Sequence, residues 1–524
     1  MEWEPELDEL RRREALARAM GGAERVARQH DSGRLTVRER IDRLFDPSSF
    51  SELGALAGVG RYGDDGTLEQ FTPANMVIGR GAIEGRTAVV QGDDFTVRGG
   101  AADAAIWQKM VHAERLAQDL RVPLIRLVDG TGGGGSVKHL EQHGFTYVPF
   151  LPGWELVVSN LSMVPVVAAA LGPCAGLGAA RVVASHFSVI ARSTAQLFVA
   201  GPPVVAAAMG ETPDKEELGG ARIQTRVGAV DNLAVDEDDA LDQIRRFLSY
   251  LPASVWEAPP LLPSDDPVQR REPMLADVVP RDRRKPYAVR ELLEAILDRG
   301  SLFELGARGG RSAVCALARL DGHPVGVAAS DPRFAGGGLT GDASDKLARF
   351  VDLCDQFRLP LLNVVDQPGF VIGTAAERAS TIRRGVRALY ALYQTEVPTA
   401  SVIVRKAFGI AGAALAGDRG SAGGLQVRFA WPSGDWGSLP VEGGIEAAYR
   451  RELEAAADPV ALRAEIAARL DAVRSPFRSA ERFSIEEIID PRDTRPLLCD
   501  WARHAHRLVG QTVAAGPRTR GLRP

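Results

Sequence analysis

Cysteine and histidine are scarce in this chain, whose 524 residues include four cysteines and eight histidines. The cysteines lie far apart and form no Cys-x-x-Cys pair, which argues against a disulfide framework and a structural zinc site. His139 and His143 are placed to share a helix face, but no third ligand accompanies them. We therefore expect no bound metal and reduced thiols, as in the cytoplasm.

Charge of one sign and long hydrophobic runs are also missing. Lys and Arg number 63 against 68 Asp and Glu, and this balance leaves no basic excess for the phosphates of a nucleic acid. Residues 1–6 are acidic and lack the apolar segment of an export signal, and prolines and glycines interrupt the apolar stretch 161–183. The sequence thus predicts a cytoplasmic protein with no membrane span and no nucleic acid partner.

Internal repetition, by contrast, is pronounced. Three pairs of segments match in the same order: 37–55 with 289–307, 99–129 with 336–366, and 165–179 with 398–412. Chance accounts for one such match of apolar residues, but three in order indicate that the chain is a duplication, with loops shortened between the repeated elements.

The boundary between the two copies is predicted where the composition changes. Residues 258–267 are rich in proline and polar residues, and such a stretch is stiff and has little to bury. The sequence therefore predicts an N-terminal domain of residues 1–257 and a C-terminal domain of residues 268–524.

Each half alternates helical and strand patterns. Apolar residues at three- and four-residue spacing predict helices over 103–120 and 343–357, and a polar amphipathic helix over 452–473. The predicted buried strands are 122–128, 164–170, 359–365 and 399–404. Strands that alternate with helices indicate an α/β fold with a largely parallel sheet in each domain.

A run of glycines at 130–135 follows a predicted strand and fits the Gly-x-Gly-x-x-Gly pattern of nucleotide-binding loops, with Glu155 near the place of a ribose ligand. The repeat-equivalent segment 366–370 has no such pattern, which argues against binding of a dinucleotide such as NAD(H). A structural glycine turn and a loop around an acyl substrate are the two interpretations that stay open.

Small residues at 172–179, and at the repeat-equivalent 405–412, follow a strand and open a helix. Backbone N–H groups at the positive end of a helix suit an oxyanion. Close packing of helix on sheet explains the glycines of either copy alone, but their occurrence in both copies favours a function. Cys174 is expected in the core, and no Ser-His-Asp arrangement or nucleophile elbow is found.

The chain resembles the β subunits of acyl-CoA carboxylases, the biotin-dependent carboxyltransferases. In the first half the resemblance is carried by Asp94–Gly100, Gly172–Ala179, Gly210–Glu211, Glu216–Ala221 and Leu248–Pro252. In the second half it is carried by Asp366–Phe370, Gly373–Ala375, Ile382–Gly385, Arg405–Gly409 and Ile489–Arg495. It extends from about residue 34 to about residue 503, and so many motifs in order make it specific at the level of the family.

This resemblance implies two crotonase-like (ClpP/crotonase) ββα-spiral domains in a homohexamer, a trimer of dimers. The first domain would bind acyl-CoA and the second carboxybiotin. CO2 would pass to the α-carbon of a short or medium acyl-CoA of the acetyl or propionyl kind, and the freed biotin nitrogen would take the α-proton. The chain has neither a Met-Lys-Met biotinylation site nor an ATP-binding loop, so a biotin carboxylase and a biotin carboxyl carrier protein are the implied partners.

The resemblance also implies which residues form the site. The N–H groups of Leu177 and Gly178 would hold the thioester oxygen as an enolate develops, and those of Ile410 and Ala411 the ureido oxygen of biotin. The acyl-CoA would contact Gly99, Gly100, Gly132, Gly133, Gly134, Gly176 and Ala413. The biotin would contact Pro368, Gly369, Phe370, Gly373, Thr374 and Gly409.

Departures from the family pattern leave the acyl group open. The loop 129–135 replaces the Asp-Ser-Gly-Gly-Ala-Arg of propionyl- and acetyl-type members, and the acyl-length position, an aspartate in propionyl-type members, is Ala413. Leu177 and Ile410 add bulk at the oxyanion positions, and Val230–Ala234 resembles the methylcrotonyl type. γ-Carboxylation of an enoyl-CoA and a non-catalytic place in a mixed hexamer are therefore alternatives.

Overall fold

The computed structural model describes residues 2–100, 106–130, 141, 144–146, 148–417 and 424–513. These residues divide into two compact units, of which the first runs to residue 257 and the second begins at residue 258. Within the described ranges, no helix is long and apolar enough to cross a bilayer.

The proline-rich segment 258–267 packs on the second unit. The Leu262 N–H donates to the Gly322 carbonyl over 3.2 Å, and the Arg495 guanidinium donates to the Pro267 carbonyl over 3.0 Å. The segment is therefore part of the second unit, which begins before the predicted start at residue 268.

The strands of the first unit form one large sheet and two small ones. They are β1 Ser51–Leu53, β2 Gly58–Tyr62, β3 Leu68–Pro73, β4 Met76–Ile83, β5 Arg86–Asp93, β6 Leu124–Val128, β7 Val166–Ala170, β8 Pro173–Ala175, β9 Phe187–Ala191, β10 Gln196–Phe198 and β11 Asn232–Ala234. The large sheet has the order β1-β4-β5-β6-β7-β9-β11, antiparallel from β1 to β5 and parallel from β5 to β11. The small sheets pair β2 with β3 and β8 with β10.

The helices of the first unit cover this sheet. They are α1 Glu4–Arg18, α2 Ala23–Asp31, α3 Val37–Leu44, α4 Trp107–Leu120, α5 Trp154–Asn160, α6 Leu177–Val183, α7 Pro202–Met209, α8 Lys215–Gly219, α9 Ala221–Arg226 and α10 Glu237–Tyr250. Because helices lie on both faces of a parallel sheet, its central strands are buried throughout. All residues of β6, β7 and β9 are accordingly buried, and β6 and β7 lie within the predicted buried strands 122–128 and 164–170.

The second unit repeats this sheet. Its strands are β12 Phe303–Leu305, β13 Ala313–Leu320, β14 His323–Ser330, β15 Leu361–Gln367, β16 Thr399–Phe408, β17 Gln426–Ala430, β18 Asp435–Gly437 and β19 Glu487–Ile488. The order is β12-β13-β14-β15-β16-β17-β19, antiparallel up to β14 and parallel beyond it, and β18 pairs with the end of β16. The largely parallel sheet predicted for each half is therefore present in both units.

The helices of the second unit also follow the predicted alternation, with one exception. They are α11 Val289–Ile296, α12 Gly341–Gln356, α13 Thr374–Arg378, α14 Thr381–Gln394, α15 Gly409–Ala416, α16 Val441–Ala448, α17 Arg450–Ala455, α18 Pro459–Asp471, α19 Pro476–Glu481 and α20 Thr494–Thr512. The single helix predicted over 452–473 is wrong, since α17 ends and α18 begins within it. Pro459 starts a new helix because it lacks an N–H, and Asp458 caps that helix by accepting from the Val460 and Ala461 N–H groups.

A buried guanidinium ties α3 to the sheet and to α10. Arg40 donates to Asp129 at the end of β6 over 2.9 Å and to Glu237 at the start of α10 over 2.7 Å, and all three side chains are buried. On the same two helices, Arg43 and Asp238 form an exposed pair at 2.6 Å. The two pairs differ mainly in their access to water.

Replacing Arg40 with alanine leaves Asp129 and Glu237 buried without this cation. We expect a loss of about 3–5 kcal/mol in the free energy of unfolding of the first unit. The matched variant Arg43→Ala should lose less than about 1 kcal/mol, because water screens the exposed pair. Urea unfolding followed by circular dichroism measures both, and equal losses would show that Arg40 does not hold the unit together.

Candidate active site

Two loops of the first unit meet at Gly100. Arg98, Gly99 and Gly100 all have positive φ, at 54°, 63° and 68°. A Cβ at Gly100 would lie 2.9 Å from the Asp129 carbonyl oxygen and 3.1 Å from the Gly130 Cα. Real Cβ contacts are not that short, so glycine is required for the turn after β5 to touch the loop after β6.

A third segment joins them at the start of α6. The Ala175 N–H donates to the Gly130 carbonyl over 3.4 Å. Gly176 then has φ 55° and ψ −120°, a conformation that favours glycine, and turns the chain into the helix. The first N–H groups of a helix have no partner inside it, and those of Leu177 and Gly178 have no acceptor among the described residues. They are therefore available to an oxygen of a ligand.

The second unit builds the same arrangement from the repeat-equivalent residues. A Cβ at Gly337 would lie 2.7 Å from the Asp366 carbonyl oxygen, and Gly409 opens α15 with φ 62°. In the part of this unit that the structure describes, the N–H groups of Ile410 and Ala411 also lack an acceptor. Both units thus place helix N–H groups beside a strand end, and both arrangements suit an oxyanion.

A buried aspartate holds each strand end in place. Asp129, after β6, accepts from Arg34 over 3.1 Å and from Arg40 over 2.9 Å. Asp366, in β15, accepts from Arg405 over 2.8 Å. Each carboxylate is shielded from water and neutralised by arginine, so neither is placed to act as a general base in an open site.

The two aspartates receive their cations from different parts of the chain. Arg405 stands at the repeat-equivalent position of Gly172. A Cβ at Gly172 would lie 2.0 Å from the Asp129 carboxylate and 2.9 Å from the Arg34 guanidinium. Glycine is therefore needed there because the cations come from the N-terminal segment instead.

The far end of α6 is held by a second buried charge network. Arg126 donates to the carbonyls of Arg181 and Ala184 over 3.2 and 2.6 Å, and a cation at a helix C-terminus is stabilising. Arg181 itself donates to Asp93 over 3.0 Å and to Gln91 over 3.0 Å. The C-terminal part of the helix that carries Leu177 and Gly178 is thus held by buried charged side chains.

The predicted acyl-CoA residues fall in three places. Gly99, Gly100, Gly176, Leu177 and Gly178 belong to the loops that meet around Gly130. Ala413 belongs to the second unit, on α15, where its side chain is exposed. The remaining predicted residues, Gly132, Gly133 and Gly134, lie outside the described residues, as do His139 and His143.

Of the six predicted biotin residues, Gly409 opens α15, and the other five divide into an inner and an outer group. Pro368, Gly369 and Phe370 follow β15 and are half-buried; the Leu339 N–H donates to the Gly369 carbonyl over 3.0 Å. The Phe370 ring lies so close to Gly385 on α14 that a Cβ there would be 2.3 Å away. The outer group is exposed at the start of α13 and consists of Gly373 and Thr374.

Sequence reasoning missed two features near α6. One is the set of buried charges at its C-terminal end, and the other is the group of apolar side chains next to Leu177. Arg126 stands in the middle of the apolar run that forms β6, and a cation inside a buried strand was the available signal for a network.

Cys174 is buried, as predicted, and burial raises the pKa of its thiol. Among the residues that the structure describes, no group of three His, Cys, Asp or Glu could hold a metal.

The two adjacent glycines of the turn after β5 provide a matched test. Alanine at either position incurs the cost of positive φ, roughly 1–2 kcal/mol. Gly100→Ala also forces a methyl against the Asp129 and Gly130 backbone, for about 1–3 kcal/mol more, whereas at Gly99 the nearest atom would be 3.9 Å from the methyl. Thermal unfolding should show Gly100→Ala clearly less stable than Gly99→Ala; equal stabilities would contradict the close contact.

Comparison with known proteins identifies the family to which the chain belongs. Residues 28–507 match the carboxyl transferase domain family. The chain is 37% identical over 499 residues to the propionyl-CoA carboxylase carboxyltransferase subunit of Haloferax mediterranei, covering 94% of this chain and 95% of that protein. It is 36% identical over 502 residues to the methylmalonyl-CoA carboxyltransferase 12S subunit of Propionibacterium freudenreichii subsp. shermanii, covering 94% and 92%.

Solved structures show the same fold. The transcarboxylase 12S crystal structure with methylmalonyl-CoA and methylmalonic acid bound has a TM-score of 0.84 at 32% identity, covering 98% of this chain and 96% of that one. A single-chain, multi-domain long-chain acyl-CoA carboxylase has a TM-score of 0.80 at 28% identity, covering 95% of this chain and 50% of that one. The predicted crotonase-like fold is confirmed, and the chain belongs to the carboxyl transferase family, as a β subunit of the biotin-dependent acyl-CoA carboxylase type.

Proposed function

We propose that this chain transfers CO2 from carboxybiotin to the α-carbon of a short acyl-CoA, with propionyl-CoA as the first candidate. The observation that carries the proposal is the pair of equivalent helix starts, one in each unit, whose N–H groups have no acceptor among the described residues. Carboxyl transfer needs two such places, because charge develops on the thioester oxygen and on the ureido oxygen. The similarity to the propionyl-CoA carboxylase subunit supports the choice of acyl group.

On the acyl side, the N–H groups of Leu177 and Gly178 hold the thioester oxygen while the enolate forms. A fixed donor of this kind contributes about 3–4 kcal/mol to the transition state. Gly176 exposes these groups by its turn at positive φ, and the buried Arg126 and Arg181 hold the C-terminal part of the helix. Because the donors belong to the backbone, the site needs no ionisable side chain of its own.

On the biotin side, the N–H groups of Ile410 and Ala411 hold the ureido oxygen. The residues present fit a small ring: the half-buried Pro368–Phe370 follow β15, and Gly409 brings the helix start beside them without a side chain. When bound, biotin supplies the carboxyl group and a basic ureido nitrogen for the α-proton. A separate carrier protein and a biotin carboxylase are the proposed partners. The match covers only 50% of the single-chain, multi-domain long-chain acyl-CoA carboxylase. That protein therefore has further domains that this chain does not match, and we propose that separate proteins supply their functions here.

Transfer in the opposite direction, from methylmalonyl-CoA to biotin, is the second candidate. The transcarboxylase 12S structure favours it, since that protein holds methylmalonyl-CoA on the same fold and assembles as a hexamer. A homohexamer is proposed for this chain on the same ground. Within the motif Val230–Ala234, Asp231 accepts from the Ser188 N–H over 2.8 Å and so joins the motif to β9.

The transfer assay combines the purified chain with a biotin carboxylase, a biotinylated carrier, ATP and labelled bicarbonate. We expect acid-stable label in short acyl-CoAs, highest with propionyl-CoA, across a panel from acetyl- to geranyl-CoA. Label confined to enoyl-CoAs would establish γ-carboxylation instead. The absence of label with every acyl-CoA, given a folded hexamer, would establish the non-catalytic alternative.

Two proline variants separate the half-sites. Proline is tolerated in the first turn of a helix but has no N–H, so Gly178→Pro removes the proposed thioester donor and Ala411→Pro the proposed ureido donor. Loss of one donor is expected to lower kcat by about 100-fold or more. Gly178→Pro should leave biotin binding intact and Ala411→Pro should leave acyl-CoA binding intact. Two folded variants with full activity would refute both assignments.

A further inference from the structure

An apolar pocket lies beside Leu177, between three helices of the first unit. Its walls are formed by side chains of α4, of the segment before α5, of α5 and of α6. The apolar lining residues are Met110, Val111, Leu151, Trp154, Val157 and Leu177. The space left free between them is about that of one water molecule.

The charged residues that border this pocket are already paired. The Glu114 carboxylate accepts from Arg126 over 2.9 Å and from Asn160 over 2.9 Å. Both terminal nitrogens of the Arg181 guanidinium are engaged, by Asp93 and by Gln91, as described above. Glu114 and Arg181 therefore offer no unneutralised charge, and the ligand that gains most from the pocket is an apolar one.

Leu177 links this pocket to the proposed thioester site, because it carries one of the two proposed donors and also lines the pocket. Met110 and Arg181 also line a neighbouring pocket, which is bordered by Gly100 and Trp107. The pocket therefore lies beside residues that are predicted to contact the acyl-CoA.

We propose that this pocket receives the carbons of the acyl group beyond its α-carbon, and that Leu177 limits their number to about one. The proposal rests on the proposed function and specifies its substrate. A methyl group is close in size to a water molecule, so propionyl fits the free space and butyryl requires Leu177 to move. The repeat-equivalent Ile410 is 55% exposed and so does not close a comparable pocket.

Leu177→Ala tests the limit by enlarging the pocket without removing the N–H. In the wild type, kcat/KM for CO2 transfer should fall at least tenfold from propionyl- to butyryl-CoA, as one methylene in a tight apolar pocket allows. In Leu177→Ala that ratio should drop below about threefold. Leu177→Phe should act oppositely and favour acetyl- over propionyl-CoA by about tenfold. Val158→Ala, an exposed position on α5 that does not line the pocket, should keep the wild-type profile.

Binding measured by calorimetry without biotin separates this inference from the proposed function. The Kd ratio of butyryl- to propionyl-CoA should shift in Leu177→Ala as kcat/KM does, even if no variant transfers CO2. Absence of transfer in the wild type would refute the proposed function alone. A Leu177→Ala protein that unfolds at the wild-type temperature and retains the wild-type ratios would overturn the inference.

Discussion

The structure depends on a buried aspartate at the end of the same strand in each unit. Asp129 and Asp366 are shielded from water, and a carboxylate in that position is stable only with a cation beside it. The pairing fixes where the strand ends and where the next loop starts. The turns at Gly100 and Gly337 pack on the carbonyls of these two aspartates. This contact positions the loops that lie beside the starts of α6 and α15.

The two duplicated units neutralise this buried carboxylate with arginines from different parts of the chain. In the second unit Arg405 comes from the strand next to Asp366, so the pair is local to the sheet. In the first unit the residue equivalent to Arg405 is Gly172, which has no side chain. Asp129 is instead neutralised by Arg34 and Arg40, which belong to the N-terminal segment. The cations that neutralise Asp129 thus come from residues before the sheet, whereas the cation that neutralises Asp366 comes from the sheet itself. When the two copies of a duplicated fold neutralise the equivalent aspartate with different arginines, their equivalent helix starts can diverge to bind two different ligands.

The duplication, the strands and most helices could be predicted from sequence because their signals are local: apolar spacing, glycine at turns and recurrence in order. The single helix predicted over 452–473 is wrong because Pro459, which has no N–H, ends helical hydrogen bonding within the apolar pattern. The network behind α6 could not be predicted in the same way. Arg181 pairs with Asp93 across 88 residues of chain, and no spacing in the sequence encodes that contact. Arg126 within a buried strand indicates that a partner exists, but not which residue it is.

The backbone donors of the proposed function separate charge stabilisation from the choice of substrate. An N–H group persists through every substitution except proline, so Leu177 and Ile410 can carry large side chains and still present their donors. The side chain at such a position is then free to contact whatever is attached to the stabilised oxygen. Leu177 lies against apolar walls and Ile410 is exposed, although both lie at the starts of equivalent helices. Under the proposed function, a substitution at either position changes the choice of substrate without changing how charge is stabilised, because the two properties depend on different atoms of the same residue.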